Sequence, residues 1–498
     1  MPPQVKKTKV ASKRVRLEGP FLLKRRVQAR YDAAQTTADN RKHWTNADSL
    51  SPGQAATPEV RRVLRERGRY EVANNSYARG IVETLANYVV GTGPRLQMLT
   101  KDKALNARIE TAWQEFAAAI RLAAKLRLMR KARAQDGEAF ALLVNTDAAV
   151  LGVRLGLSLV EADQFSSPFS GPYSQSLSDG IKYDGDGNPK TYSLLGEYPG
   201  VGFERLQSTT IPARNVIHWF RHDRPGQLRG LPDIMPALPL FAMLRRYTLA
   251  VIAAAESAAD VAIFMKTTLP AAGVAASVPP MTEMEFEQRM AVFAPEGWEA
   301  TQIKAEQPAT TYQMFKQEIL NEIARCLNMP YNIAACNSSN DSFASGRLDH
   351  QVFYQSIGIE RKDCEEVVLD PLFRAWVEEA RPALFVELSV SELAHQWFWG
   401  APAHIDPVKD ANASDIKLGD GMTNYAIEYA KEGRDSEVEL EQGAKELGIT
   451  LKEYQALLIQ KRFGPKPVAP VEKPAGEPDA APEDKPEGES DDAESKPE

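Results

Sequence analysis

The chain is poor in the residues that build redox and metal chemistry. Its 498 residues include three cysteines and six histidines. Cys326, Cys336 and Cys364 have no paired-ligand motif around them. That argues against a zinc site and against a disulfide framework, and it points to a reducing compartment. The sequence has no GxxxxGK[ST] phosphate loop and no GxSxG nucleophile elbow. No apolar segment follows the first methionine, where PPQVKKTKVASKRVRL is basic and polar. The longest apolar run, Tyr247 to Met265, carries Glu256 and Asp260 in its interior. A bilayer penalises such carboxylates, so a packed helix of a soluble protein is expected, with no membrane partner.

Charge is abundant but unevenly placed. The net charge is −7 over the whole chain, +9 over residues 1–30 and −7 over residues 464–498, which leaves −9 for the body. So acidic a body is unsuited to a tight grip on DNA, which takes many Lys/Arg contacts to phosphate; it remains compatible with DNA passing by. Both ends read as solvated tails: a basic N-terminal arm over 1–30 and a disordered acidic tail over 464–498.

Between the tails the period changes twice. Thr57 to Val90 reads as helical with a break at Asn74-Asn75: Thr57 is a candidate cap with Pro58 behind it. Val60, Val63 and Leu64, then Ile81, Leu85, Tyr88 and Val89, form the apolar stripes. Residues 102–133 read as one or two helices with Trp113, Phe116, Ile120 and Leu126 on the apolar side. From Gly137 to Phe220 short strands are expected at 139–144, 153–160, 180–183, 191–194 and 216–220. Helical periodicity returns at Pro236 to Lys266 and at Thr311 to Leu327, the latter stopped by Pro330. It resumes from about Ser345 to Asp370, restarts at an Asp370-Pro371 cap toward Trp376, and runs again over Pro407 to Phe463. Residues 269–308 mix prolines, a short acidic helix over Met281 to Val292 and a strand-like end. The fold class is α+β, mainly helical, and no internal repeat is visible.

Few motifs favour catalysis. The hairpin IKYDGDGNPKTYSLL resembles a calcium loop only superficially: counted from Asp184, the glycine position holds Pro189 and the twelfth position holds Leu195. A turn is the better reading. Ser414 and Lys417 match Ser-x-x-Lys without the triplets that accompany it in enzymes. His218 and His222 sit at a strand end and read as structural. The most unusual passage is NSSNDSFASGR, Asn337 to Arg347. A serine nucleophile there needs a base within reach and oxyanion donors, and His350 is the sole nearby candidate. As a loop the composition is natural, because Ser, Asn and Asp bond their own backbone and leave short uncharged tips exposed. Such tips suit weak, replaceable contacts to phosphate or sugar. An ordinary surface connection fits the same residues.

Five passages, in order, resemble the lambda-type family of tailed-phage portal proteins. They are YDAAQTTADNRKHW (31–44), LRERGRYEVANNSYARGIVETLANYVVGTGPRLQ (64–97), RHDRPGQLRGLPDIMPAL (221–238), FASGR (343–347) and IDPVKDANASDIKLGDGMTNYAIEYAKEGRD (405–435). Three positions depart from the family's pattern. FASGR has Ala344 and Gly346 where a serine and an alanine are usual, and Asn328 stands where a glycine is usual before Met329-Pro330.

The resemblance implies a portal fold. Identical subunits, commonly twelve, form a cyclic ring around a central channel. It divides this chain into a basic arm (1–30), a mixed α/β wing (31–235), a first stem helix (236–268) and a clip (269–308). A second stem helix (309–328), a tunnel loop (329–344), a long helix returning to the wing (345–404), a helical crown (405–463) and the acidic tail follow. The DNA-facing residues would be Asn337, Ser338, Ser339, Asn340, Asp341, Ser342, Phe343, Ser345 and Arg347. Arg347 would contact phosphate or a neighbouring loop, or else form a structural salt bridge. The implied partners are double-stranded DNA held transiently and without sequence preference, the large terminase subunit, head–tail connector proteins, the major capsid protein and the scaffold. The implied place is the unique vertex of the virion, after assembly in the host bacterial cytoplasm. No cofactor, metal or enzymatic activity is implied. Two other readings share parts of the sequence: a head scaffold or adaptor ring without DNA contact, and a serine hydrolase or nuclease using the same loop.

Overall fold

A computed structural model describes residues 42–150, 152–166, 177–196, 198, 208–260, 264–267, 298–301, 311–339, 343–384, 392–400, 407–432 and 434–463. The basic arm, the start of the first family-like passage, the acidic helix expected at 281–292 and the acidic tail lie outside these residues.

The chain opens with helices α1 (Pro52–Ala55), α2 (Pro58–Asn74) and α3 (Ser76–Val90). Thr57 caps α2, its hydroxyl accepting from Val60 N at 3.4 Å, and Pro58 supplies a preset φ at the first helical position. The break falls at Asn75, whose extended backbone ends α2 and whose Oδ1 caps α3 by accepting from Tyr77 N and Ala78 N. Strand β1 (Arg95–Met98) and helices α4 (Lys103–Ala119) and α5 (Leu122–Asp136) follow.

Then come β2 (Glu138–Val150), β3 (Val153–Val160), β4 (Leu177–Ser178), β5 (Ile181–Tyr183), β6 (Pro189–Leu195), β7 (Ser208–Pro212) and β8 (Val216–Phe220). β2 is the centre of an antiparallel three-stranded sheet, with Phe140 opposite Val160 of β3 on one side and His218 of β8 on the other. Strands β4 to β7 form a four-stranded meander. The second half holds α6 (Leu238–Asp260), β9 (Phe264–Thr267), β10 (Trp298–Thr301), α7 (Thr311–Arg325), α8 (Tyr331–Ala335), α9 (Phe343–Cys364), α10 (Asp370–Leu384) and β11 (His395–Phe398). Helices α11 (Pro407–Gly419), α12 (Tyr425–Lys431), α13 (Ser436–Glu446) and α14 (Leu451–Phe463) complete it. β11 pairs with β1, Arg95 opposite Phe398, so the late chain returns to the strand that follows α3.

The main core lies among α3, α4, α5, α10 and the three-stranded sheet. Trp113 is its centre, with the rings of Phe116, Phe373, Trp376 and Trp397 all within 5.3–5.5 Å of it. The pairs with Phe373 and Trp376 are edge-to-face, an arrangement that adds to the area they bury. A smaller core under the meander gathers Phe140, Phe165, Ile181 and Tyr192.

Several sequence expectations are corrected. The apolar stripe expected on α2 is not its buried face: Val60 is 41% exposed, and Arg61, Arg65, Gly68 and Glu71 are buried instead. The long helix expected over Pro236 to Lys266 ends at Asp260, and Phe264–Thr267 pairs as a strand with Trp298–Thr301. Distant strand pairing overrides an apolar run that reads as helix locally. Asp370-Pro371 caps nothing, because Asp370 is helical (φ −63°, ψ −43°) and the helix runs on. A π-helical turn over Glu365–Leu369 precedes it, widening the helix where Pro371 withdraws a donor and would crowd the carbonyl four residues back. β1, β7 and β11 are short strands that no local pattern announced.

The departure at Asn328 has a backbone cause. Its φ is +53°, in the left-handed region at the end of α7, where Met329 N donates back to Ala324 O. Glycine takes that conformation freely, and asparagine is among the side chains that tolerate it.

Candidate functional site

Two places carry the sequence features singled out above: the polar loop between α8 and α9, and a buried ion network where two of the family-like passages meet.

The loop begins at Cys336, whose left-handed φ of +50° closes α8. Residues Cys336 to Ser339 are exposed. Asn337 folds the tip on itself: its Oδ1 accepts from Ser339 N at 3.0 Å and from Ser339 Oγ at 2.7 Å. This local turn is what a Ser/Asn loop is built to make. Underneath, buried Asn332 receives Asn337 N on its carbonyl at 3.0 Å, and its Oδ1 lies 3.2 Å from His350 Nε2. The proposed base of the hydrolase reading therefore faces Asn332, and the Ser339 hydroxyl donates to Asn337. Asn340, Asp341 and Ser342 lie outside the described residues. Phe343, Ser345 and Arg347 are on the first two turns of α9, with side chains outside the described set, and α8 occupies Tyr331–Ala335 within the span expected to be loop. The structure thus brings Asn337, Ser338 and Ser339 together in one exposed turn.

Other catalytic candidates resolve into structural roles. Ser414 Oγ donates to Glu428 Oε2 at 3.1 Å, joining α11 to α12. Asp184 accepts from Asp186 N and Asn188 N, the ordinary closure of a hairpin turn.

The ion network was not visible in the sequence. Glu138, the first residue of β2, is fully enclosed. Its carboxylate accepts from Arg229 in bidentate fashion (2.6 and 2.9 Å), from Gly230 N at 3.2 Å, and pairs with His218 Nε2 at 3.1 Å. Arg229 also donates to the carbonyls of Asp179 and Phe165. Asp179 pairs with Arg61 at 2.6 Å, Asp163 with Arg65 at 2.9 Å, and Asp136 with Arg69 at 2.7 Å. Arginines of α2 at i, i+4 and i+8 therefore clamp one helix face onto carboxylates of the sheet region. A second cluster sits alongside: Arg130 spans Asp233 at 2.8 Å and Glu360 at 2.6 Å, tying α5 to α9.

The electrostatics follow from burial and pairing. Burial alone would push the Glu138 carboxyl up, but Arg229 and His218 overcome it and hold the group well below the usual range. Burial drives His218 the other way, below its ordinary value, against a partial pull from Glu138. A neutral ring with Nε2–H donating to Glu138 and Nδ1 accepting from the Tyr192 hydroxyl, 3.4 Å away, satisfies both nitrogens. This sets the sign of the acid response. Because His218 is depressed in the fold, the unfolded chain takes up protons first, and stability falls as pH drops below about 6.5. The melting temperature should decline between pH 7 and pH 5, and His218→Gln, which keeps a donor toward Glu138, should flatten that decline while lowering the starting value. An unchanged slope in the variant would place the acid sensitivity elsewhere.

Glycine completes the network. A Cβ on Gly230 would lie 2.1 Å from Gly137 O and 2.8 Å from Phe220 Cβ, and one on Gly68 would lie 2.4 Å from Gln135 O. The Arg-Gly pair of the third passage and the Arg-x-x-x-Arg spacing of the second are thus two sides of one contact.

Residues 38–361 match the family described as phage portal protein, lambda family, a span that includes α2, the three- and four-stranded sheets, the ion network and the polar loop. The class is phage portal protein. Within that class, the chain belongs to the lambda family. No curated protein matches the sequence at a significant level. Among solved structures, the chain is similar to one in the virion of the native gene transfer agent particle, at 12% identity over 76% of this chain and 94% of that one, TM-score 0.44. It is likewise similar to a chain in the neck of the empty gene transfer agent particle, at 12% identity over 76% and 94%, TM-score 0.43. A third is an HK97-family phage portal protein from Corynebacterium diphtheriae, at 12% identity over 69% of this chain and 98% of that one, TM-score 0.29. The family assignment rests on the sequence match.

Proposed function

We propose that identical copies of this chain close into a ring, commonly of twelve, whose channel passes double-stranded DNA into and out of the capsid. In this reading residues 31–235 are the wing, α6 and α7 the stem, 269–308 the clip, 329–344 the tunnel loop, 345–404 the returning helix and α11 to α14 the crown. α6 and α7 pack against each other through Tyr247, Tyr312 and Phe315, with ring centroids 4.9–5.6 Å apart.

The observation that carries the reading, beyond family membership, is the exposed Asn337–Ser339 turn held on a fixed base. Short uncharged tips give contacts to phosphate that break as easily as they form, whereas a cationic lining would hold DNA, since each neutralised phosphate adds affinity that movement must undo. A second observation supports the ring. The helical stretch Met235–Glu256, among the described residues, is by length and composition apolar enough to cross a bilayer, yet most of it is not buried within the subunit. Neighbouring subunits, rather than lipid, cover it in this proposal. The clip would receive the large terminase subunit and later the head–tail connectors, and the wing would meet the major capsid protein and scaffold.

The loop's part is tested by changing Ser338, Ser339 and Ser342 to alanine together. The expected result is normal ring formation with impaired packaging or retention of DNA in a complementation assay. Wild-type packaging by the triple variant would remove the loop from the mechanism.

A further inference from the structure

Helix α9 has an outer face that its own subunit leaves bare. Leu348, Val352, Gln355 and Ile359 recur at i, i+4, i+7 and i+11, a single stripe, and the three apolar members are 65%, 54% and 60% exposed. Beside that stripe lies Gly358, in mid-helix and exposed, where an added Cβ would meet nothing within 4 Å. Glycine weakens a helix interior, so it is retained where something comes close. Gly68 and Gly443 have such a reason inside the chain, against Gln135 O and the Tyr454 ring. Gly358 has none.

A counterpart exists on α6. Ala242, Arg246, Leu249 and Ala253 recur at the same i, i+4, i+7, i+11 spacing and are exposed, flanked by Met243 (63% exposed) and Ala250. Alanine, like glycine, lets a second helix approach closely. The charges also match: Arg246 on the α6 face and Asp349, at the edge of the α9 stripe opposite Gly358, are both exposed, and neither makes an ion pair among the described residues. A closing ring needs two different patches on each subunit, one complementary to the other.

We propose that the outer face of α9 receives the α6 face of a second copy of this chain, with Arg246 paired to Asp349 along one edge of the α9 stripe and Gly358 leaving room along its other edge. The inference rests on the ring reading and adds to it the two surfaces that meet. It also couples the element that follows the polar loop directly to the neighbouring stem, so a shift of one loop is felt next door.

Charge reversal tests the pairing. Measured by mass photometry on the full chain, Arg246→Glu and Asp349→Arg should each weaken assembly at least tenfold, and the Arg246→Glu/Asp349→Arg double variant should restore it. Gly358→Leu should also block assembly while raising the melting temperature of the isolated subunit, opposite signs that a purely internal role would not produce. A labelling arm covers variants that fail to fold: in the assembled ring, Gln355→Cys should react with a maleimide at least tenfold more slowly than a Lys190→Cys reference on the exposed β5–β6 hairpin. Single variants that assemble normally, a double variant that stays dissociated, or equal labelling at the two positions would overturn the α6–α9 contact and leave the ring standing. A wild-type chain that never assembles would overturn both.

Discussion

Glu138→Ala is expected to destabilise the protein by about 3–5 kcal/mol, enough to leave much of the chain unfolded or insoluble. The reason is the state in which it leaves its partners. Arg229 is 2% exposed and Arg65 6% exposed, and both face the Glu138 carboxylate. Removing the carboxylate leaves Arg65 only Asp163 and leaves Arg229 only the more distant Asp179 carboxylate at 3.5 Å, in a site that water does not reach, and the lost hydrogen bonds to Gly230 N and His218 add to the loss. Urea titration of the purified variant beside Glu66→Ala provides the comparison. Glu66 pairs with Arg62 at 2.7 Å, but both side chains are about 60% exposed, and such pairs contribute little. Near-equal midpoints for the two variants would mean that the network is not what fastens α2 to the sheet.

Gly230→Ala is the second large effect, with an expected cost of about 3 kcal/mol, at the upper end for overpacking. The added methyl meets the Gly137 carbonyl, a backbone group that has no rotamer to change. Gly137 is itself pinned, with φ at +94° and its own missing Cβ filled by the backbone of Leu231 and Pro232. Gly226, four residues earlier, is the internal control. It has a positive φ of +78° but open space around it, so Gly226→Ala should cost only the strain of the left-handed backbone, about 1 kcal/mol. Thermal melts that rank the two variants in the opposite order would contradict the close approach of the two chain segments.

These two sites also mark where the sequence is and is not legible. Apolar periodicity located α3, α4, α7 and α9 because their buried faces are apolar, and Trp113, Phe116 and Leu126 do sit in the core. The same reasoning failed on α2, where the buried face is arginine and glutamate. Hydrophobic spacing carries no signal when a helix is held by ion pairs, and the paired carboxylates, Glu138, Asp163 and Asp179, come from turns and strand ends far along the chain. A trace was present nonetheless: Arg61, Arg65 and Arg69 lie at helical spacing with Gly68 among them, a pattern that pairs charge with close approach. Glu138 had no such trace, since its role is defined only once β2 lies between α2 and the Arg229 loop. The polar loop was legible as a loop, because Asn and Ser make their own turns. That His350 is engaged by Asn332 required the fold, for the two are eighteen residues apart on different helices.

The central claim is that this portal subunit works as a closed ring around a channel. Electron microscopy of the purified full-length chain, viewed down the particle axis, tests it most directly. The account predicts closed rings of identical subunits with a stain-filled central hole. A field of single subunits at micromolar protein concentration would contradict it.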